Sequence, residues 1–369
     1  MEEEQNIAAG ELSERLGLLC RVPEPLLNWY DRCARVLPWR DDPTPYHVWV
    51  SEIMLQQTRV EAVKPYYARF LEELPTVRAL AEAPEEQLLK LWQGLGYYNR
   101  VRSLQKGARA VMEQYGGELP ASVERLRELP GIGPYTAGAI ASIAFNIPAP
   151  AVDGNVLRVV SRLLADDADI ASPRVKKQVE EEISRIIPAR AGDFTQALME
   201  LGAIVCVPNG EAKCGECPLA FLCRANREGR VTELPVKAAK KPRVCEERTL
   251  FLLISGNRAA LRRRPEKGLL SGLWELPSAE GALSEEAARR QLSAWGVKPG
   301  TLQKLKKAKH IFTHVEWHLS AWAAEVEECG GEFLWASGDE LKDRYTLPFA
   351  FKAYFPELEK RLCGEAPQP

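Results

Sequence analysis

The feature that most constrains this chain is the stretch Leu129-Pro130-Gly131-Ile132-Gly133-Pro134-Tyr135-Thr136-Ala137-Gly138, with Ala151-Val152-Asp153-Gly154-Asn155-Val156 after it. An amphipathic run ends at Leu129, and the small and apolar residues from Tyr135 to Phe145 read as a second helix. Gly131 and Gly133 permit a tight reversal and leave backbone N–H groups uncovered by side chains. Those donors fall at the start of the second helix, where unsatisfied amides and the helix dipole favour an anion. Two readings are open on this stretch alone: an ordinary helical hairpin with a glycine turn, or a seat for one phosphate of a nucleic-acid backbone. Asp153, a carboxylate in a tight Asp-Gly-Asn turn a short distance on, tilts the balance to the second.

A chain of 369 residues predicts two or three domains. With 46% hydrophobic and 27% charged residues it has the composition of soluble globular material. The formal net charge is only −2, so nucleic-acid affinity has to come from local patches and not from a global field. Arg174-Val175-Lys176-Lys177, Lys237 to Arg243, Arg262-Arg263-Arg264 and Lys304 to Lys309 are such patches, each read singly as a solvated face or linker. No run of 18 apolar residues suggests a membrane span, and the acidic start Met1-Glu2-Glu3-Glu4 does not read as a secretory signal. The expected location is the cytoplasm.

Among nine cysteines, Cys20, Cys33, Cys245, Cys329 and Cys363 are scattered and read as inert thiols. Cys206, Cys214, Cys217 and Cys223 form one compact run, C-x7-C-x2-C-x5-C. In a reducing compartment this reads as a metal site and not as a disulfide framework. Zinc usually takes two short pairs across a longer spacer. One Cys-x-x-Cys flanked by single cysteines suits the corners of a [4Fe–4S] cluster better.

Residues 1–21 read as a loose acidic extension with a weakly amphipathic segment from Leu12 to Leu19. Helical patterns then cover Leu26–Val36, Val48–Gln57, Val63–Leu71, Val77–Ala83, Glu85–Gln93 and Val101–Tyr115, followed by the hairpin. Strand-like alternation is scarce up to residue 225, so residues 22–230 are expected to be all-α. A polar, basic linker is expected over 231–247. Beyond it Thr249–Ile254, Ala259–Arg263, Ala308–Thr313 and Val315–Ala324 read as strands, with helices near Glu285–Trp295 and Pro348–Leu362. That predicts a separate α/β domain over 248–363, with 364–369 as a tail.

Two carboxylates stand out. Glu52 lies within Val48-Trp49-Val50-Ser51-Glu52-Ile53-Met54-Leu55, almost the only ionisable group in an apolar stretch. Buried there, its pKa rises, which is how a carboxylic acid stays protonated near neutral pH. Its plainer reading is a surface glutamate, but apolar neighbours on both sides leave no fully polar face. Asp153 precedes Val156-Leu157-Arg158-Val159-Val160, where its plainer reading is a helix N-cap that keeps it ionised. A protonated acid and an ionised partner form the pair that cleaves glycosidic bonds through an oxocarbenium-like transition state.

Pro38-Trp39-Arg40, Trp49-Val50-Ser51-Glu52-Ile53-Met54-Leu55-Gln56-Gln57-Thr58 and Gly94-Leu95-Gly96-Tyr97-Tyr98, with the hairpin, Val152–Val156 and the four-cysteine run, resemble the MutY adenine DNA glycosylases. The resemblance covers roughly residues 25–363. It implies a helix-hairpin-helix glycosylase that removes adenine mispaired with 8-oxoguanine or guanine in double-stranded DNA, acting as a bacterial nucleoid-associated monomer in base excision repair. By that similarity Glu52 protonates adenine at N7, and Asp153 stabilises the oxocarbenium ion or traps it as a covalent intermediate. Tyr135 and Asn155 support Asp153 and the sugar, Gly131 and Gly133 hold the DNA backbone, and Gln57 and Tyr97 wedge into the duplex beside an extruded base. The same likeness assigns Cys206, Cys214, Cys217 and Cys223 to a [4Fe–4S] cluster, although the seven residues between Cys206 and Cys214 are one more than most relatives have.

The endonuclease III branch shares the hairpin, the aspartate and the cysteines but carries a hairpin lysine that forms a Schiff base with the sugar. Here that place is Tyr135, and Leu129–Gly138 contains no lysine, so a monofunctional glycosylase is expected. A non-catalytic DNA-binding protein is a further reading, opposed by the presence of both Glu52 and Asp153.

Gly272-Leu273-Trp274-Glu275-Leu276-Pro277-Ser278 and Arg290-Gln291-Leu292-Ser293-Ala294-Trp295-Gly296 resemble the Nudix fold of 8-oxo-dGTP hydrolases. Gln291, Ala294 and Trp295 stand where that family places metal-binding glutamates, so nothing there holds magnesium against a diphosphate. A reader of the damaged base is expected instead, with Phe312-Thr313-His314 in place of the family's Phe-Ser-His loop. His310, His314 and His318 fall at intervals of four, but their neighbours favour strands around a turn, not a metal-binding helix face.

Overall fold

The computed structural model describes residues 13–208, 211–238, 242–328 and 332–363. The first twelve residues of the extension, part of the Cys206–Cys214 loop, linker residues 239–241, Cys329 and the tail at 364–369 lie outside the described residues. The chain divides into two compact units, one of residues 13–82 with 103–238 and one of 83–102 with 242–363.

The first unit is helical. Proline marks several helix starts (Pro23, Pro38, Pro45, Pro134 and Pro173), because its fixed φ suits the first turn and its missing N–H costs nothing there. The Pro45–Leu55 helix buries Tyr46 and Val48 through Met54 without a break, so Glu52 has no solvated face to occupy. The Pro134–Phe145 helix packs against it and against the Ala191–Ile204 helix. Gly138 permits that layer, since a Cβ there would stand 2.0 Å from the Pro150 carbonyl oxygen. A second core joins the Pro23–Cys33, Gly154–Leu164, Pro173–Ser184 and Ala191–Ile204 helices through Leu26, Val160, Ile183 and Leu201, and Cys206, Cys217 and Cys223 pack on its edge.

The extension is not loose from residue 13 onward. Residues 13–19 are helical, Leu19 is buried, and the Arg15 guanidinium donates to Glu182 at 2.6 Å and to Asp166 at 2.6 Å. A short helix at Pro38–Asp41, which the apolar periodicity does not mark, carries Trp39 and Arg40.

The second unit is built on an eight-stranded mixed sheet. Its strands are β1 (Val244–Ser255), β2 (Arg258–Arg263), β3 (Trp274–Glu275), β4 (Ser278–Glu280), β5 (Gln303–Lys304), β6 (Ala308–Ile311), β7 (Val315–Glu325) and β8 (Leu334–Ser337). The order β3-β2-β1-β7-β5 places β1 and β7 side by side and parallel. Leu250–Ile254 of the first and Leu319–Ala324 of the second are buried on two faces. Leu250, Leu252, Trp317 and Leu319 face a core closed by Leu358 of the Phe355–Leu362 helix, and Phe251, Leu253 and Trp322 face one closed by Leu292 of the Glu285–Ala294 helix.

Several boundaries differ from the sequence reading, three of them in the α/β unit with a clear physical reason. Strand β1 begins at Val244, inside the expected linker, because the mostly exposed stretch Val244–Glu247 pairs backbone to backbone with Val315–His318 despite lacking apolar alternation. Strand β6 stops at Ile311, where Phe312–His314 turns the chain into β7. The last helix is two pieces, a 3-10 turn at Phe349–Tyr354 and an α-helix at Phe355–Leu362, divided where Pro356 opens the second.

Candidate active site

Glu52 and Asp153 line the same cavity of about 540 Å³ in the helical unit. Glu52 arrives on a helix buried all round and is 6% exposed. Burial pushes its carboxyl up to about 7, with the nearby charge of Asp153 adding to the rise while the Tyr135 hydroxyl and Arg40 oppose it. Tyr135, in the first turn of the hairpin's second helix, donates its hydroxyl to Glu52 Oε2 at 2.6 Å. The phenol thus pairs with Glu52, whereas the family likeness directs it to Asp153. Its own pKa is raised, through burial first and then the two carboxylates.

Asp153 is the N-cap of the Gly154–Leu164 helix. Its Oδ1 accepts the backbone N–H groups of Asn155 at 2.9 Å and Val156 at 2.8 Å, and its Oδ2 accepts from the Asn155 amide at 2.6 Å. Three donors at a helix N-terminus fix the orientation of the carboxylate. Behind Asn155 stands Arg158, which donates to Asn155 Oδ1 at 2.9 Å, to the Gly202 carbonyl at 2.8 Å and to the Cys206 carbonyl at 2.8 Å. A chain of hydrogen bonds therefore runs from the cysteine loop to Asp153.

One wall of the cavity escaped the sequence reading. Glu200, 1% exposed, accepts from Arg35 Nε at 2.7 Å and from Arg40 Nη2 at 2.9 Å. Burial alone would raise its pKa, but the two guanidiniums outweigh it and hold the carboxyl at about 2. Gln196 accepts from Arg40 Nε at 3.1 Å. The available signal was Glu200 itself, an acid among the apolar residues of the Ala191–Ile204 helix, together with Arg40 beside Trp39. Among the described residues no lysine lines the cavity.

The hairpin has the expected form. Ser122 caps the Val123–Glu128 helix, Gly131 sits at φ +81 where a Cβ would meet Ser103 at 2.8 Å, and Gly133 opens the next helix. Ile132 points into the core while Gly131 and Gly133 are exposed. Gln57 and Tyr97 both sit at positive φ, +57 and +49, and both are exposed. Left-handed backbone at a non-glycine residue is a strain that tends to mark functional positions.

The four cysteines of the run line one cavity with Val159, Leu163 and Leu219. Arg162 Nη1 donates to Cys206 Sγ at 3.2 Å, and the Cys223 thiol donates to the Arg162 carbonyl at 3.3 Å. Burial, with neighbouring sulfurs adding to it, pushes the Cys217 thiol up to about 12 and raises Cys214 and Cys223 as well. As thiolates, four such sulfurs side by side would be costly unless a cation took the charge. Among the described residues no three ligating side chains come close enough to hold a single ion. All four sulfurs lie round one apolar cavity, a donor set that fits a thiolate-bound metal group.

In the second unit Phe312, Thr313 and His314 form the turn between β6 and β7. The Thr313 hydroxyl and the Tyr97 hydroxyl are 2.9 Å apart. Gln291 and Ala294 lie on the Glu285–Ala294 helix, while the Trp295 ring packs edge-on to Phe251 at 5.2 Å and Phe333 at 5.7 Å. His310 stands opposite Trp317 and His318 opposite Lys309, so the spaced histidines do not converge. No helix among the described residues is long and apolar enough to cross a membrane.

A buried acid facing an N-capped aspartate beside a glycine hairpin defines a base-excising DNA glycosylase fold. Residues 50–189 match the HhH-GPD superfamily base excision DNA repair protein, and residues 249–356 match the NUDIX domain. A solved thermostable thymine-DNA glycosylase is 27% identical with a TM-score of 0.52, covering 58% of this chain and 98% of its own. Among curated proteins, adenine DNA glycosylase of Rattus norvegicus is 38% identical over 82% of this chain and 70% of its own length. That of Schizosaccharomyces pombe is 32% identical over 92% and 90%. The chain belongs to the adenine DNA glycosylase family, also called MutY.

Proposed function

We propose that this protein hydrolyses the N-glycosidic bond of adenine paired with 8-oxoguanine or guanine in duplex DNA, as a monomer, without cutting the strand. The observation that carries the reading is the pairing of Glu52, held near pH 7 by burial, with the amide-capped Asp153 on one cavity. The target base, extruded from the stack, enters that cavity. Glu52 gives its proton to adenine N7, the Tyr135 hydroxyl occupying Oε2 so that the proton leaves from Oε1. The glycosidic bond breaks with its electron pair going to the base. The positive charge left on the sugar is met by Asp153, and Asn155 fixes the carboxylate in that orientation. Water then adds at the anomeric carbon and its proton passes to the Glu52 carboxylate, which restores the acid. No amine lines the cavity among the described residues, which supports hydrolysis over imine chemistry.

Gly131 and Gly133 seat a backbone phosphate, Gln57 and Tyr97 wedge into the duplex, and Phe312, Thr313 and His314 read the opposite base. The glycosylase region is 22–230, less residues 83–102, which group with the reading domain of 248–363, and the protein acts in the cytoplasm at the nucleoid. Cys206, Cys214, Cys217 and Cys223 would hold a [4Fe–4S] cluster through their thiolates, and Cys206 also offers its carbonyl to Arg158. Cys217→Ser should lose iron and acid-labile sulfide together; retention of one zinc by the parent would contradict the cluster.

The test is a duplex with one adenine opposite 8-oxoguanine, scored for free base and for strand scission before and after alkali. Free adenine with scission only after alkali is expected. Cleavage at an oxidised pyrimidine without alkali, and no adenine release, would move the chain to the endonuclease III branch.

A further inference from the structure

The turn Phe312-Thr313-His314 is held from below by a residue that no part of the family likeness brings forward. Its backbone is tied at three points. The Phe312 N–H donates to the Val315 carbonyl at 2.8 Å, Arg243 Nε to the Phe312 carbonyl at 3.1 Å, and the Val244 N–H to the His314 carbonyl at 3.0 Å. The Phe312 ring meets the Trp317 ring edge-on at 4.9 Å and the His310 ring at 4.5 Å.

Trp317 is itself fixed on several sides. It is 1% exposed, and its indole N–H donates to Glu246 Oε2 at 2.9 Å. The guanidiniums of Arg248 and Arg264 lie 4.7 and 5.3 Å from its ring centre. Arg264 is pinned in turn by Glu275 at 2.6 Å and the Leu269 carbonyl at 2.9 Å, and Arg248 Nε lies 3.5 Å from Glu246. Desolvated cation–π contacts and a charge-assisted hydrogen bond leave this indole little freedom.

We propose that Trp317, boxed by Glu246, Arg248 and Arg264, is the positioning residue that sets the height of the Phe312–His314 turn and thereby the preference for 8-oxoguanine over guanine. The inference rests on the proposed reading of that turn as the base reader. The two bases differ at one edge: 8-oxoguanine carries a carbonyl at C8 and an N–H at N7, where guanine carries a bare acceptor. A threonine hydroxyl both donates and accepts, so it answers to either edge unless its position is fixed. Tyr97 engages the hydroxyl at 2.9 Å, and Phe312 on Trp317 fixes the backbone that carries it. Trp317 reaches the DNA only through Phe312.

Adenine release under single-turnover conditions, opposite 8-oxoguanine and opposite guanine, tests this in the full chain. Trp317→Phe keeps a ring against Phe312 and removes the N–H to Glu246, and Arg248→Met keeps an alkyl stem without the cation. The ratio of the two rates should fall by about fivefold in Trp317→Phe, the size of one net hydrogen bond, with the rate opposite guanine unchanged. Arg248→Met should move it in the same direction by less. An equal fall in both rates would mark a merely structural role and overturn the proposal. So would an unchanged ratio in a parent that discriminates and loses that discrimination in Thr313→Val. A parent that does not discriminate at all would overturn the reading of the turn itself, and the inference with it.

Discussion

Glu52 in the helical unit and Glu275 in the α/β unit are each 6% exposed, yet they are held in opposite ways. Glu275 is gripped by Arg264 at 2.6 Å, beneath a tryptophan ring. Glu52 accepts from a neutral phenol and sits near an anion, Asp153. A buried acid with a fixed cation is a structural pair; one with none in its grip is a proton kept ready. The helical cavity repeats the lesson on its own walls, since Glu200, clamped by Arg35 and Arg40, is held at about 2 while Glu52 stands at about 7. The Glu285–Ala294 helix of the α/β unit, by contrast, carries no ring of acids at Gln291 and Ala294, and Trp295 there belongs to the core.

The largest effect that separates the two acids is on chemistry. Glu52→Gln should slow adenine release by about a thousandfold, the weight of a general acid, with duplex binding retained in a gel-shift titration. Next is stability. Arg264→Met leaves Glu275 buried without its cation and should cost about 3 kcal/mol in denaturant unfolding while sparing the rate of base release opposite guanine.

Smaller is the pH linkage of Glu52. Its pKa is raised from 4.5 to about 7, so the stability it contributes is present in full below about pH 4.5 and is lost as pH rises through about 7. Glu52→Gln should therefore gain on the order of 3 kcal/mol over the parent at pH 8 and nothing at pH 4. Glu200 runs the other way: its contribution is present above pH 4.5 and is lost as pH falls through about 2. The smallest effect concerns the support behind Asp153. A Cβ on Gly202 would lie 2.6 Å from Asn155 Cβ, so Gly202→Ala should tilt Asn155 and slow release by about tenfold through misplacement alone. An unchanged rate would mean that Asn155 is not needed to aim Asp153.

How much of this was legible in the chain follows from the range of each interaction. The Asp153 cap depends on Asn155 and Val156, its immediate neighbours, so the turn announces it. Glu52 is legible because an apolar stretch with no polar face must bury whatever acid it contains. Glu200 has the same kind of setting, but what decides its charge is Arg35 and Arg40, some 160 residues earlier, and no local pattern carries that pairing. The grouping of residues 83–102 with the α/β unit is hidden for the same reason. It rests on contacts such as Arg102 to the Ser271 carbonyl at 2.8 Å and Gln93 to the Leu347 carbonyl at 3.0 Å. The early start of β1 is invisible because backbone pairing asks nothing of side chains on an exposed stretch.

The central claim is that base release runs on one desolvated proton at Glu52. The rate of single-turnover adenine release from the adenine:8-oxoguanine duplex, followed from pH 5 to pH 9, tests it most directly. The rate should hold level in acid, bend at about pH 7 and fall about tenfold for each further unit, as the acid form is titrated away. A profile that stays flat to pH 9 would show that the proton on Glu52 is not the one that frees the base.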